Sequence, residues 1–313
     1  MGIAENIRLK RLEMGLSQQE LADKLGYKTR STITKIESGE NSVSEARMAK
    51  FAKALDTTVE FLKTGNKIEY IEKKEEIKNR TGNKNVAIIL AGGKSTRNMQ
   101  NIPNQFINVL GKPVILYSLE VYQKHPLIDE IYVVCLKDWD GILKAYAEQY
   151  GISKLKGIIL AGETGILSVK KGVEHLEDYK DDVVVILQES TRPLITEEII
   201  SKLLFSIKSN DCVAVVEPMG DYIQFVDDER KQYIERDKIV SLQSPEAYTI
   251  GTLRNAFKKA QSISHKMQET TCAMMMYNLG YNINFCEGNH NNIKVVRQED
   301  IAILSALIRQ KML

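Results

Sequence analysis

Two hydrophobic rhythms divide the chain. Along residues 3–65, Leu9, Leu12, Leu16, Leu21, Leu25, Ile33, Ile36, Met48, Phe51, Ala52 and Leu55 recur at three- and four-residue intervals. That spacing gathers them on one face of each of a series of short helices. The helices are predicted at Ile3–Met14, Ser17–Leu25, Arg30–Glu37, Ser44–Leu55 and Thr58–Leu62, with Gly15, Gly26 and Gly39 as breaks. From Thr64 to Lys84 charge and amide side chains take over, and too few apolar groups remain to bury the segment. A solvated linker is expected there, with helical character around Ile68–Ile77. Beyond it the runs NVAIILAGG, EIYVVC, GIIL, VVVIL, CVAVVEP and INFCEG are continuous and β-branched, separated by amphipathic stretches such as Pro113–Gln123 and Glu197–Ser206. Buried strands alternating with helices predict a mostly parallel sheet covered on both faces. The expected organisation is an all-α domain over 1–65, a linker over 66–84 and an α/β domain over 85–313.

Composition narrows the picture modestly. A chain of 313 residues with 43% hydrophobic content can supply two cores. Its formal net charge of +2 excludes a polycation, so any nucleic-acid contact has to come from a local patch. Cys135, Cys212, Cys272 and Cys286 stand singly, without the short paired spacings of a zinc site or disulfide framework, and buried thiols are expected. His125, His175, His265 and His290 share no ligand spacing. The Met274–Met276 run is expected to pack in the core. With neither a charged-then-apolar leader nor a long apolar run, no membrane contact and a cytoplasmic location are expected.

The stretch LSQQELADKLGYKTRSTITKIESGEN at 16–41 carries the first chemical signal. Ser17 followed by Glu20 has the capping-box spacing that satisfies two orphan amides at a helix start. Ala22 is small where two helices must cross, Gly26 ends the first helix, and Ile33 and Ile36 face inward. Gln18, Lys28, Arg30, Ser31, Thr32 and Lys35 are left to the outer face and the start of the second helix. There polar and basic side chains meet base edges and phosphates of a major groove. The pattern resembles the Cro/cI-type repressor helix-turn-helix. Double-stranded DNA is therefore the expected partner. A single such module binds weakly, so a homodimer reading two half-sites is expected.

A second signal is LAGGKSTRNMQNIPNQF at 90–106. Adjacent glycines let backbone amides approach phosphate oxygens, and Lys94 and Arg97 add charge-assisted bonds. With GETGILSVKKGV at 162–173, QESTRP at 188–193, EPMGDYI at 217–223, IERDKIVSLQSPEAY at 234–248 and EGNHNNIKVVRQEDI at 287–301, it resembles the cytidylyltransferases acting on methylerythritol phosphate and ribitol phosphate. The resemblance implies that CTP lies on the glycine loop, with Ala91, Gly92, Gly93, Lys94, Ser95, Gly162 and Ser168 as nucleotide contacts. It also implies Arg97, Arg192 and Lys294 as catalytic cations, and Asp221 and Arg236 as substrate contacts on an arm shared across a dimer. Mg²⁺ would be held by Glu189. The sequence departs from the family's pattern at several places: Asn104 stands for a lysine, Gly165 for an arginine, Glu189 for an aspartate, Thr271 for a second metal-binding aspartate and Tyr222 for a threonine. Ser95 stands at a usual glycine.

The reading adopted from these signals is a transcription regulator whose transferase-like domain binds CTP, a CDP-polyol or a polyol phosphate and dimerises the protein. The alternatives are an active cytidylyltransferase that also binds DNA, and a ligand-free dimerisation scaffold.

Overall fold

The computed structural model describes residues 2–57, 59–64, 84–94, 102–207, 212–226, 231–261 and 271–312. The expected linker helix at Ile68–Ile77 lies outside the described residues, as do Ser95 and Arg97.

The N-terminal unit is helical throughout, with α1 at Ile3–Glu13, α2 at Gln18–Lys24, α3 at Ser31–Glu37, α4 at Glu45–Ala54 and α5 at Val59–Thr64. The capping box forms: Glu20 N–H donates to Ser17 Oγ at 3.0 Å and Ser17 N–H donates to Glu20 Oε2 at 2.6 Å. Gly26 adopts φ +77°, the left-handed turn that lets α2 stop and α3 start at a steep angle. Ile7, Leu21, Ile33, Ile36, Phe51, Leu55 and Leu62 make this unit's own core. Beneath it, the Arg11 guanidinium grips both carboxylate oxygens of Glu37 at 2.7 and 2.8 Å, with both side chains about 3% exposed.

The remainder is an α/β fold around a seven-stranded sheet of order β11-β7-β10-β6-β1-β4-β5. Its strands are β1 Asn85–Ala91, β4 Glu130–Cys135, β5 Leu155–Leu160, β6 Val184–Glu189, β7 Cys212–Pro218, β10 Val240–Thr249 and β11 Asn284–Glu287. Only β10 runs antiparallel to its neighbours. The small ribbons β2 (Asn108–Val109) with β3 (Lys112–Pro113), and β8 (Ile223–Val226) with β9 (Lys231–Ile234), stand apart from it.

Alternate residues of β1 face opposite sides, as a pleat with period two requires. Ala87, Ile89 and Ala91 pack under α6 (Val114–Lys124), α7 (Asp140–Gln149) and α9 (Glu197–Ile207). Val86 and Ile88 pack under α8 (Gly165–His175), α10 (Ile250–Gln261) and α11 (Cys272–Asn278). A final helix, α12 (Gln298–Met312), closes a smaller core with Val109, Leu194 and Val295. Met275 and Met276 are buried as expected, and Met274 is exposed. All four cysteines are buried free thiols. Trp139 stacks on Phe106 at 4.5 Å between ring centroids. Among the described residues no helix is long and apolar enough to cross a membrane.

The first two strands set the position of the site. From β1 the chain crosses to β4 on one side, while β6 lies on the other. A crevice therefore opens at the carboxyl ends of β1 and β6, where such sheets receive ligands.

Candidate functional site

The crevice is a cleft with two adjoining lobes of about 460 and about 410 Å³ that share Leu90, Thr164, Gly165, Glu189 and Lys294 in their walls. One wall is the turn that follows β1. Gly92 passes so close to the segment after β5 that a Cβ there would sit 2.7 Å from Ala161 Cβ and 3.1 Å from Ser168 Oγ. Opposite, a Cβ on Gly162 would meet the Leu167 carbonyl carbon at 2.6 Å and Ser168 N at 2.8 Å. Gly162 is glycine because backbone approaches it, and Gly92 because the Ala161 and Ser168 side chains press against it. Gly93 and Lys94 also line the cleft.

Ser168 is the clasp of the second wall. Its Oγ accepts from Gly162 N–H at 3.0 Å and donates to the Thr164 carbonyl at 3.0 Å, fixing the loop that leads into α8. Its side chain thus lines the cleft while its hydroxyl proton is committed to shaping the loop. The Ala91 methyl group faces the α6–α9 core with Ala87 and Ile89, and its carbonyl accepts from Gln105 Nε2 at 2.8 Å.

The floor is charged. Lys294 pairs with Glu189 Oε1, and Arg192 Nε donates to Glu189 Oε2 at 2.9 Å. Burial pushes the Glu189 carboxyl up, but Lys294 and then Arg192 outweigh it and hold the group below the usual carboxylate range. Arg192 Nη1 also donates to the Asn292 carbonyl at 2.7 Å, tying the loop after β6 to the segment that carries Lys294. Asn104, the residue in the lysine position, is nearly buried and donates to the carbonyls of Val295 and Val296 at 3.3 and 3.0 Å. It braces the backbone beside Lys294 and brings no charge. Thr271 caps α11 by accepting from Met274 N–H at 3.3 Å and lines the cleft without a carboxylate.

Three contributors lie inside the quoted motifs without being among the expected site residues. Gln105 spans Ala91 O and Gly93 O at 2.8 and 3.1 Å, anchoring the glycine turn. Asn292, fully buried, donates to Gln243 Oε1 at 3.1 Å and Ser244 O at 2.8 Å. Glu246 lines the cleft on β10, where burial pushes its carboxyl up to about 7, with Tyr248 Oη donating to it at 2.7 Å.

Asp221 and Arg236 do not line this cleft. Both are exposed at the β8–β9 arm, where the Arg236 guanidinium lies 5.6 Å from the centre of the Tyr222 ring.

On the N-terminal unit, Lys28, Arg30, Ser31 and Lys35 are exposed and Thr32 is half-buried, all on or beside α3. The Gln18 side chain turns back into the protein, donating to Glu37 Oε2 at 2.9 Å and accepting from Thr34 Oγ1 at 2.8 Å. The reason is the Arg11–Glu37 pair, which leaves a carboxylate lone pair within reach of the amide.

A short helical unit with a capped helix-turn-helix, joined to a mostly parallel sheet with a glycine-turn cleft, defines a DNA-binding motif fused to a nucleotidyltransferase-type fold. Known proteins give the family. The chain belongs to the 2-C-methyl-D-erythritol 4-phosphate cytidylyltransferase family, whose model matches residues 85–310, and the helix-turn-helix model matches residues 7–62. It is 33% identical over 230 residues to a ribitol-5-phosphate cytidylyltransferase of Lacticaseibacillus paracasei, covering 72% of this chain and 98% of that one. It is 29% identical over 227 residues to a 2-C-methyl-D-erythritol 4-phosphate cytidylyltransferase of Alkaliphilus metalliredigens, covering 72% of this chain and 92% of that one. The crystal structure of 4-diphosphocytidyl-2C-methyl-D-erythritol synthase from Anaerococcus prevotii shares the fold. Its TM-score is 0.64 at 23% identity, over 72% of this chain and 98% of that one.

Proposed function

We propose that the chain is a homodimeric DNA-binding regulator whose cytidylyltransferase-type domain holds CTP, a CDP-polyol or a polyol phosphate. In this reading 1–65 is the DNA-binding domain, 66–84 the linker and 85–313 the ligand domain, working in the cytoplasm. The observation that carries it is the Arg192–Glu189–Lys294 cluster beneath the glycine turn. Two cations held on one half-buried carboxylate form a site that an incoming phosphate can enter by taking those cations over. Lys28, Arg30 and Lys35, exposed together on the same chain, supply the basic face for duplex phosphates.

The same cluster, with the likeness to ribitol-5-phosphate cytidylyltransferases, favours a second reading in which the domain turns over. A polyol phosphate oxygen would attack the α-phosphorus of CTP, the bond from that phosphorus to the bridging oxygen would break, and pyrophosphate would leave with the electron pair. Lys294, Arg192 and Arg97 would neutralise charge on the phosphoryl oxygens, a task of positioning more than of proton transfer. Asn104 and Thr271 supply neither a cation nor a carboxylate to that task, which is why the regulator reading is preferred.

The residues fit Mg²⁺ in one manner. Among the described residues no cluster of three acidic, histidine or cysteine ligands exists. Mg²⁺ commonly takes one or two carboxylates and completes its shell with phosphates and water. Glu189, ionised and at the cleft floor, would be the protein ligand, and the ion would add charge neutralisation.

Calorimetric titration with CTP, CDP-ribitol and ribitol 5-phosphate, alongside a pyrophosphate-release assay with CTP and ribitol 5-phosphate, tests both readings. Binding without turnover supports the regulator, turnover supports the transferase, and no binding of any of the three ends both.

A further inference from the structure

The two units of the chain meet through a specific face. In a helix-turn-helix the first helix of the pair crosses the sugar–phosphate backbone while the second enters the groove. Here α2 is that first helix, and its opening amide, Gln18 N–H, donates to Glu198 Oε1 on α9 of the transferase fold at 3.3 Å. Glu198 also receives Arg11 Nη1 at 3.4 Å, and Glu197 pairs with Arg8. On the neighbouring flank Lys202 reaches Glu20 at 3.5 Å. Phe205 fills the space at the turn between α1 and α2, where a Cβ on Gly15 would lie 3.0 Å from its ring. Three ion pairs and one apolar contact therefore seat the N-terminal unit on α9. The exposed residues of α3 are left free of the contact.

We infer that α9 competes with DNA for the N-terminal unit. The carboxylates of Glu197 and Glu198 stand on Arg8, Arg11 and the Gln18 amide, the last opening α2, the helix that crosses the duplex backbone in this motif. A carboxylate and a phosphate are both anions that accept from the same N–H groups, so the two cannot occupy them together. The seated state binds duplex weakly, and tight binding requires the N-terminal unit to leave α9. Release is within reach, because the Arg8–Glu197 and Glu20–Lys202 pairs are partly solvated and weak. The inference rests on the DNA-binding reading above.

The test is fluorescence anisotropy of a labelled mixed-sequence DNA duplex titrated with the full chain at low ionic strength. Glu197→Gln with Glu198→Gln keeps shape and removes the competing charge, and affinity is expected to rise about tenfold, the sum of two or three weak ion pairs. Lys202→Glu sets two carboxylates against each other at the Glu20 contact and is also expected to tighten binding, although it adds negative charge. Glu174→Gln with Glu177→Gln, exposed on the opposite face of the sheet, makes the same charge change as the first variant and is expected to alter affinity less than twofold. Thermal melts of each variant establish that it is folded. Duplex binding that neither interface variant tightens, or that Lys202→Glu weakens in a folded protein, overturns the inference and leaves the DNA-binding reading intact. Absence of duplex binding by the wild type and every variant removes that reading and the inference with it.

Discussion

Lys294 and Arg192 close on opposite oxygens of Glu189, although they come from segments about a hundred residues apart in the chain. A half-buried carboxylate in that position is stabilised by the two cations that face it, and each cation is held in place by it. The site therefore stores its charges in a partly neutralised form, with one positive charge in excess, that an anionic ligand can rearrange.

Removal of one cation tests this directly. Lys294→Ala is expected to weaken CTP binding by about 1.5–3 kcal/mol, the usual loss when a hydrogen bond to a charged group goes. Titration calorimetry reads the change, and an unaltered affinity would place Lys294 beyond the ligand's reach.

The glycines separate by geometry. Gly162→Ala drives a methyl group to 2.6 Å from backbone and is expected to cost about 1–3 kcal/mol in denaturant unfolding. Gly93→Ala, with nothing within 4 Å of the new Cβ, is expected to leave stability unchanged. Equal losses at the two positions would contradict the close approach described for the second wall.

Glu246 gives the fold a stability that declines with rising pH. Its carboxyl titrates near 7 in the fold and near 4.5 in the unfolded chain, so between those values the unfolded state loses its proton first and unfolding is favoured as pH rises. The loss is on the order of 2 kcal/mol once cleft water is allowed for. Glu246→Gln is expected to flatten this slope, seen in urea midpoints taken from pH 4.5 to 8.

His125 works in the other direction. Leu127 N–H donates to its Nδ1 at 3.2 Å, so the proton sits on Nε2 and is donated to Ser201 Oγ at 3.0 Å. Burial, assisted by Lys154, lowers its pKa from 6.5 to about 3. The folded state therefore resists protonation, and stability falls as the solution is acidified below 6.5, by up to about 4 kcal/mol near pH 3. Replacing His125 by Gln is expected to weaken this acid dependence, and an unchanged acid limb would exclude His125 as its source.

Much of this was legible in the residues. The three- and four-residue spacing of Leu21, Ile33 and Ile36 and the Ser17–Glu20 box mark the helix-turn-helix, and the β-branched runs at 85–91 and 184–189 mark central strands, because periodicity is a local property. The cleft was legible as far as glycine and cation motifs reach. The orientation of the Gln18 side chain was not legible, because Glu37 on another helix decides it. The side that Ala91 faces was not legible either, because strand register, and not motif membership, sets it. The Arg8–Glu197 and Arg11–Glu198 pairs join residues 189 and 187 positions apart, and no spacing rule connects them. Glu246 reads as an ordinary surface acid until the fold encloses it.

The stacked pair Trp139–Phe106 turns the molecule into its own optical probe. Trp139 is the chain's sole indole, and its stacking partner ends the turn whose Asn104 and Gln105 line the cleft. Any ligand that shifts this turn changes the surroundings of one fluorophore, so occupancy can be followed through red-edge excited emission from the unlabelled, unmutated protein.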